Sequence, residues 1–114
     1  MTDLTDNTFD NNSMNSESFK TVLEDHLSIL SHPDNIGEVK SVSAVDANRF
    51  EYDFYGLLRV LGVPIDLHWI TMRVNGLASP NDYRKTQQSI KIPNVEMVES
   101  LLTYHNQVIK RSAG

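Results

Sequence analysis

Side chains that could carry chemistry are few in this sequence and widely spaced. Its four histidines lack the short spacings of a zinc site; they are His26, His32, His68 and His105. Glu24 and Asp25 are adjacent, so on a helix they point apart and cannot act as a catalytic carboxylate pair. Neither a Gly-x-Ser-x-Gly nucleophile motif nor a glycine-rich phosphate loop occurs. We therefore predict a protein that is not an enzyme and uses no metal or cofactor.

The composition is that of one small domain with a polar, acidic start. The 114 residues suffice for one ordinary domain, and without cysteine its stability must come from packing alone. Residues 1–17 are mostly polar, so we expect this arm to be disordered when the chain is alone. No secretory signal or bilayer-spanning apolar run is evident. The sequence thus predicts a soluble protein that is not exported by the usual signal route.

Charge is distributed unevenly along the chain. Residues 1–54 carry eleven acidic and three basic side chains, a net charge of −8, whereas residues 55–114 carry four acidic and seven basic ones, a net charge of +3. Two interpretations fit this asymmetry. The halves are two ordinary solvated surfaces, or the acidic arm docks on a basic neighbour such as another copy of the protein.

Apolar residues at helical spacing predict a helix on each side of a central region. Residues 18–31 have an apolar stripe from Phe19 to Leu30, capped by Ser16 or Ser18, and residues 32–37 form a linker. Residues 94–114 carry a second stripe that predicts a C-terminal helix. Because a lone helix of this length is marginal in water, each stripe needs a surface to pack against.

The central region, residues 38–93, combines strand and helix patterns. Alternation of aromatic and acidic residues predicts a strand over Phe50 to Phe54, and "VDAN" could turn a hairpin from a weaker strand near Val39 to Val45. Two short helices follow, separated by Gly62 and ended by Asn75-Gly76. After a turn-rich loop, "SIKIP" predicts a second strand closed by proline. The fold class expected is α+β.

This order of elements, with its motifs, resembles the LysM module. The family is a compact βααβ unit, a two-stranded antiparallel sheet with both helices on one face. The resemblance covers about 45 of the 114 residues, and only the combined spacing makes it specific. The matching positions are Asp53 for the aspartate of the family's Gly-Asp-Thr turn, Leu57-Leu58, "LGV" at 61–63, "NGL" at 75–77, Ser79-Pro80 and "QQSIKIP" at 87–93.

The resemblance implies two different binding functions. Sugar-binding LysM modules hold N-acetylglucosamine polymers such as peptidoglycan or chitin between two loops, which here implies Asp53, Phe54, Tyr55, Ser79, Pro80 and Asn81. LysM-like domains also occur in baseplate and tail-assembly proteins of tailed bacteriophages, where they look like protein connectors and often carry a tryptophan like that of "HWITMRVNG". Because Tyr52-Asp53-Phe54 replaces the Gly-Asp-Thr turn, we favour the second function, a non-enzymatic structural subunit of the virion tail or baseplate assembled in the host cytoplasm.

Trp69 is the side chain that we single out as a binding anchor. It either packs in the core or is exposed to a partner, since tryptophan and tyrosine dominate interface energies. The candidate partner-binding residues are Trp69, Arg73, Tyr83, Arg84, Lys85, Leu101 and Tyr104, with Arg73, Tyr83 and Arg84 expected as a rim around the tryptophan. The expected partners are other tail proteins and copies of this chain, with no nucleic acid or membrane.

A DNA-binding helix-turn-helix is the alternative for residues 54–76, with "SIKIP" as a wing. Its recognition helix would offer four side chains to the bases, which are His68, Thr71, Arg73 and Asn75. The acidic total charge of the chain disfavours this function.

Overall fold

The computed structural model describes residues 16–113, and side chains as far as residue 108. The elements are α1 (Glu17–Asp25), α2 (Leu27–Leu30), a 3-10 turn (Pro33–Asn35), β1 (Ile36–Ser41), α3 (Ala44–Arg49), α4 (Phe54–Val60), a 3-10 turn (Ile65–Leu67), α5 (His68–Val74), a 3-10 turn (Pro80–Asp82), β2 (Ser89–Pro93) and α6 (Val95–Ala113). The predicted α+β class is confirmed.

The predicted disordered arm, residues 1–17, lies mostly outside the described residues. Its last two residues begin α1: the hydroxyl of Ser16 accepts a hydrogen bond from the Phe19 N–H and caps the helix, and Glu17 is the first helical residue. The helices predicted over residues 18–31 and 94–114 are both found, the first divided at His26 into α1 and α2.

The sheet of the described residues consists of β1 and β2 in antiparallel pairing. Glu38 lies opposite Ile92, Lys40 opposite Ile90, and Ser41 opposite Ser89, with an irregularity between Ile36 and Glu38. The first strand therefore begins at Ile36, two residues before the domain boundary that we predicted at residue 38.

The strand predicted over Phe50 to Phe54 is wrong, and so is the "VDAN" turn. Ser43 caps α3, which includes those four residues, and Phe50 follows its last turn. Asp53 then caps α4 through a hydrogen bond from the Gly56 N–H to its Oδ1. Between the two helices Tyr52 has a φ of 69°, a left-handed value that breaks any extended run. Two N-caps in eleven residues thus override a short alternation of aromatic side chains.

The turn glycines behave as predicted. Gly62 and Gly76 have φ values of 79° and 81°, where a side chain would be strained, and they follow α4 and α5. Pro64 separates the first of them from the 3-10 turn that leads into α5. The two short helices are thereby held apart by a tight, glycine-dependent connection.

The core joins the flanking helices to the central region. Phe19, Leu23 and Leu30 from α1 and α2 and Val98 from α6 are fully or almost fully buried, as are Phe54, Leu57, Leu58, Ile70, Tyr83 and Ile90. Burial of each such aliphatic or aromatic side chain stabilises the fold by about 1.5–3 kcal/mol. The stripe of α1 and α2 and much of that of α6 thus pack within the chain, which supplies the surface that each stripe was expected to need.

Candidate protein-interaction surface

Trp69 docks α1 onto α5. It is half-buried, packs against the core, and has the Lys20 ammonium 5.5 Å from its ring centroid. A cation at this distance from an indole is attracted by the electrons of the ring. The predicted partner anchor therefore contacts a helix of its own chain.

Arg73, one turn further along α5, forms a two-point contact with Glu24 of α1. Its Nε and Nη2 both donate to the carboxylate, and its Nη1 donates to the Leu77 carbonyl oxygen at 2.8 Å. Hydrogen bonding to Glu24 raises the pKa of the Arg73 guanidinium. Two predicted anchors, Trp69 and Arg73, thus hold the N-terminal helix in place.

Tyr83 cannot be part of a partner surface, because the residue is fully buried. Its ring lies 5.6 Å from that of Phe54, and its hydroxyl donates to the Gln87 carbonyl oxygen at 2.7 Å. Burial raises the pKa of Tyr83, and the negative charge of Glu51 raises it further. A strand-like loop position with a hydrogen-bond acceptor nearby explains why this tyrosine turns inward.

Arg84 and Lys85 lie beside the turn before α4. The Arg84 guanidinium stacks 4.5 Å from the Tyr52 ring centroid, and the Lys85 N–H donates to Glu51 Oε2 at 3.0 Å. These contacts belong to the connection between α3 and α4, whereas Trp69 and Arg73 contact α1. The predicted rim around Trp69 is therefore wrong for Tyr83 and Arg84, whereas Arg73 lies one turn from Trp69 on the same helix.

The two segments of the predicted sugar groove do meet, since α4 contacts the 3-10 turn Pro80–Asp82. That turn, which includes Asn81, is closed by Asp82 Oδ2, which accepts from the N–H groups of Ala78 and Ser79 at 3.2 and 3.1 Å. Phe54 is fully buried and cannot line a groove, which corrects that assignment. Tyr55 is half-buried, 5.5 Å from the His68 ring, and burial raises its pKa.

The four side chains of the hypothetical recognition helix are either buried or hydrogen-bonded inside the domain. His68 and Thr71 are buried, and the His68 Nε2 lies 2.9 Å from the Val63 carbonyl oxygen. Arg73 is bound to Glu24, and Asn75 hydrogen-bonds to the backbone of β2. Since α5 is a core helix, this arrangement argues against its insertion into a DNA groove.

An open apolar surface lies along α6, and we call it the α6 groove. It has two adjoining cavities of about 440 and 260 Å³ that share His26 and Leu101. Its apolar wall is formed by Val22, Ile29, Leu30, Met97, Leu101, Tyr104 and Val108. Ile29 is 51% exposed and Tyr104 64% exposed, so part of this wall faces water.

The α6 groove contains two of the seven predicted partner-binding residues, Leu101 and Tyr104. Sequence reasoning missed Ile29 as a member of the groove, because it lies outside the stripe that joins Phe19 to Leu30. Its position next to the buried Leu30 was the available signal, since a helix with apolar residues on adjacent positions has a wider apolar face than the core covers.

Among residues 16–113, no group of three or more histidine or carboxylate side chains is placed to hold a metal ion. The described helices include none that is long and apolar enough to cross a membrane. Comparison of the chain with protein-family models, curated proteins and solved structures finds no match.

Proposed function

We propose that the protein is a non-enzymatic structural subunit of a bacteriophage tail or baseplate, which binds other tail proteins through the α6 groove. The observation that carries this proposal is the exposed apolar wall of the groove, with Ile29 and Tyr104 beside partly buried Leu101. Large apolar side chains grouped in an open groove are typical of protein-binding sites. Their placement on the flanking helices leaves the central region as a scaffold.

The scaffold is proposed to be a LysM-like βααβ module made of β1, α4, α5 and β2, with α3 inserted after the first strand. Three features support it: antiparallel pairing of β1 with β2, contact of α5 with β2, and left-handed glycines after each helix. Asp53, aligned with the aspartate of the family's turn, caps α4. The first strand of the module is then Ile36–Ser41, earlier than the segment first aligned with it.

Assembly rather than glycan binding is favoured by how the sugar-groove residues are used. Asp53 accepts a hydrogen bond from its own helix, Phe54 lies in the core, and Asp82 closes the turn that contains Pro80 and Asn81. Sugar recognition needs polar groups that are free to reach hydroxyls. The tail location rests on the resemblance of "HWITMRVNG" to tail-assembly LysM-like domains, and it implies assembly in the host cytoplasm.

Incorporation into phage particles tests the proposal. In a phage that encodes this chain, purified tailed particles are expected to contain it by mass spectrometry. Ile29→Ser with Tyr104→Ser is expected to reduce incorporation at least about tenfold, since truncating an interface anchor costs more than about 1 kcal/mol. Val45→Ser with Ile65→Ser is the matched control, because these side chains are 75% and 68% exposed outside the groove.

Two results would contradict the proposal. One is a chain that is made during infection but is not found in particles. The other is equal incorporation of the groove and control variants, with both folded by circular dichroism. Retention on insoluble peptidoglycan or chitin, unchanged by the groove substitutions, would instead support the glycan-binding alternative.

A further inference from the structure

We propose that the outer edge of β1 pairs with β1 of a second copy of this chain, so that two sheets join into one of four antiparallel strands. The proposal concerns a surface other than the α6 groove, and it does not depend on a role in phage tails. It rests on which backbone groups of β1 point outward and on the charges beside them.

Alternation along the ladder shows which groups point outward. The N–H and C=O of Lys91 on β2 are both bonded to the Asn75 side chain, so they point away from β1. The pair Val39 and Lys91 is therefore a non-hydrogen-bonded pair of the ladder. The bond from the Val42 N–H to the Gln88 carbonyl oxygen independently fixes the same alternation. The N–H and C=O of Val39 must then face the outer edge of β1.

This edge is open to solvent. Gly37, Val39 and Ser41, which alternate along it, are all exposed, and Val39 is 58% exposed. An edge strand with free N–H and C=O groups is a template for another strand. Two further strands would also extend the hydrogen-bonded ladder of this two-stranded sheet.

The charges of β1 fit a second copy in one register. With Val39 opposite the Val39 of the second copy in antiparallel pairing, Glu38 lies opposite the second Lys40, and Lys40 opposite the second Glu38. A shift by two residues would place Glu38 opposite Glu38 or Lys40 opposite Lys40, and parallel in-register pairing would oppose like charges at both positions. Within one chain the Lys40 Nζ already lies 3.3 Å from the Glu38 Oε2. Pairing of two copies therefore creates a cluster of four charges that alternate in sign.

The same pairing explains why Val39 is exposed. Val39 lies on the opposite face of the sheet from Glu38 and Lys40, because side chains alternate along a strand. In the proposed register the two Val39 side chains meet across the two-fold axis. A two-fold axis at this residue makes the interface self-complementary and closes it at two copies.

Charge substitutions test the pairing by sedimentation equilibrium up to about 1 mM protein. The wild type is expected to dimerise, and Glu38→Lys and Lys40→Glu are each expected to weaken dimerisation at least about tenfold, because like charges then face each other. An equimolar mixture of the two variants is expected to dimerise again, since each lysine then faces a glutamate. The double exchange E38K/K40E is the matched control and is expected to dimerise like the wild type.

Val39→Pro provides a second, independent variant. The N–H of Val39 points away from β2, so proline at this position removes no hydrogen bond of the β1–β2 ladder. It does remove the donor that the pairing between two copies needs. It is expected to be folded and monomeric. A monomeric wild type at all concentrations would overturn the proposal and leave the edge for a strand of a different protein. Unchanged dimerisation of the two charge variants, or failure of their mixture to dimerise, would also overturn it.

Discussion

The side-chain amide of Asn75 completes the edge of β2 at Lys91. Its Oδ1 accepts from the Lys91 N–H at 2.9 Å, and its Nδ2 donates to the Lys91 carbonyl oxygen at 2.8 Å and to the Thr71 carbonyl oxygen at 2.7 Å. One residue at the end of α5 thus ends its helix and also takes the place of a neighbouring strand. The contact fixes how α5 lies against the sheet.

Replacing Asn75 is therefore expected to destabilise the fold. Asn75→Ala is expected to lower the free energy of unfolding by about 2 kcal/mol, since it removes three hydrogen bonds and leaves backbone groups partly unsatisfied. Asn75→Asp is expected to be worse at neutral pH, because it puts a carboxylate next to two carbonyl oxygens. Urea unfolding measures both.

Asn81→Ala is the control for Asn75, because Asn81 is exposed. It is expected to change the free energy of unfolding by less than about 0.5 kcal/mol. A loss for Asn75→Ala no larger than that of this control would contradict the proposed role of the amide at the sheet edge.

Local signals in the sequence predicted most of the helices and their ends. Gly62, Gly76 and Ser16 have the conformations or bonds expected of helix-ending and capping residues. Such signals act within a few residues, so they can be recognised without knowledge of the fold.

The first strand could not be predicted in the same way. Glu38 and Lys40 lie opposite the buried Ile92 and Ile90, so the helix-facing side of β1 has charged residues where a strand pattern has apolar ones. The strand forms because β2, about 50 residues later, supplies its hydrogen bonds. Period-2 alternation, the signal that we used, instead indicated a strand over Phe50 to Phe54. That segment is not a strand, because the N-caps Ser43 and Asp53 start helices on both sides of it.

The candidate site was predicted only in part, because here too the partner segment lies far away in the sequence. Sequence indicates that Trp69 and Arg73 need a covering surface but does not say which one, and α1 of the same chain covers both. Leu101 and Tyr104 do line the α6 groove, and Val22 of α1 lies in the wall of the same cavity.

The contact between Glu24 and Arg73 is expected to stabilise the docking of α1. A double-mutant cycle with Glu24→Gln and Arg73→Met is expected to give a coupling of about 1 kcal/mol in the free energy of unfolding. The reason is that the pair forms two hydrogen bonds and is partly shielded from water. The coupling is expected to fall at about 1 M ionic strength, where the Debye length is about 3 Å instead of the about 8 Å found at physiological ionic strength.

The pair Glu17 and Lys20 on α1 is the matched control for that cycle. Its carboxylate side chain is 90% exposed, and its ion-pair distance is 3.3 Å. A coupling near zero is expected, as for most exposed pairs. Equal couplings for the two pairs would show that the contact with Arg73 does not fix α1.

Removing the hydroxyl group of Thr71 is expected to stabilise the fold. The residue is fully buried, and among the described residues its Oγ1 has no hydrogen-bond partner. Thr71→Val keeps the shape and removes the unsatisfied hydroxyl, so it is expected to raise the free energy of unfolding by about 1 kcal/mol. Thr71→Ser, which keeps the hydroxyl and deletes the methyl group, is expected to lower it by about 1 kcal/mol. A loss of stability in Thr71→Val would show that the hydroxyl is satisfied in solution.

Tyr83 is expected to make the fold sensitive to alkaline pH. Its pKa is raised in the folded state by burial and by Glu51, whereas in the unfolded chain a tyrosine ionises near pH 10. The neutral phenol therefore contributes its full stability below about pH 10, and that contribution is lost as pH rises through the raised pKa. Tyr83→Phe is expected to lower the free energy of unfolding by about 1 kcal/mol at pH 7, where the bond to Gln87 is lost, but to decline less steeply above about pH 10.

Urea unfolding of the Tyr83→Phe variant and the wild type between about pH 7 and 11 measures both effects. Tyr104→Phe is the matched control, because that residue is 64% exposed. The control is expected to follow the wild type at every pH. If Tyr83→Phe loses stability above about pH 10 as steeply as the wild type does, then the alkaline sensitivity arises elsewhere in the chain and the buried phenol is not its source.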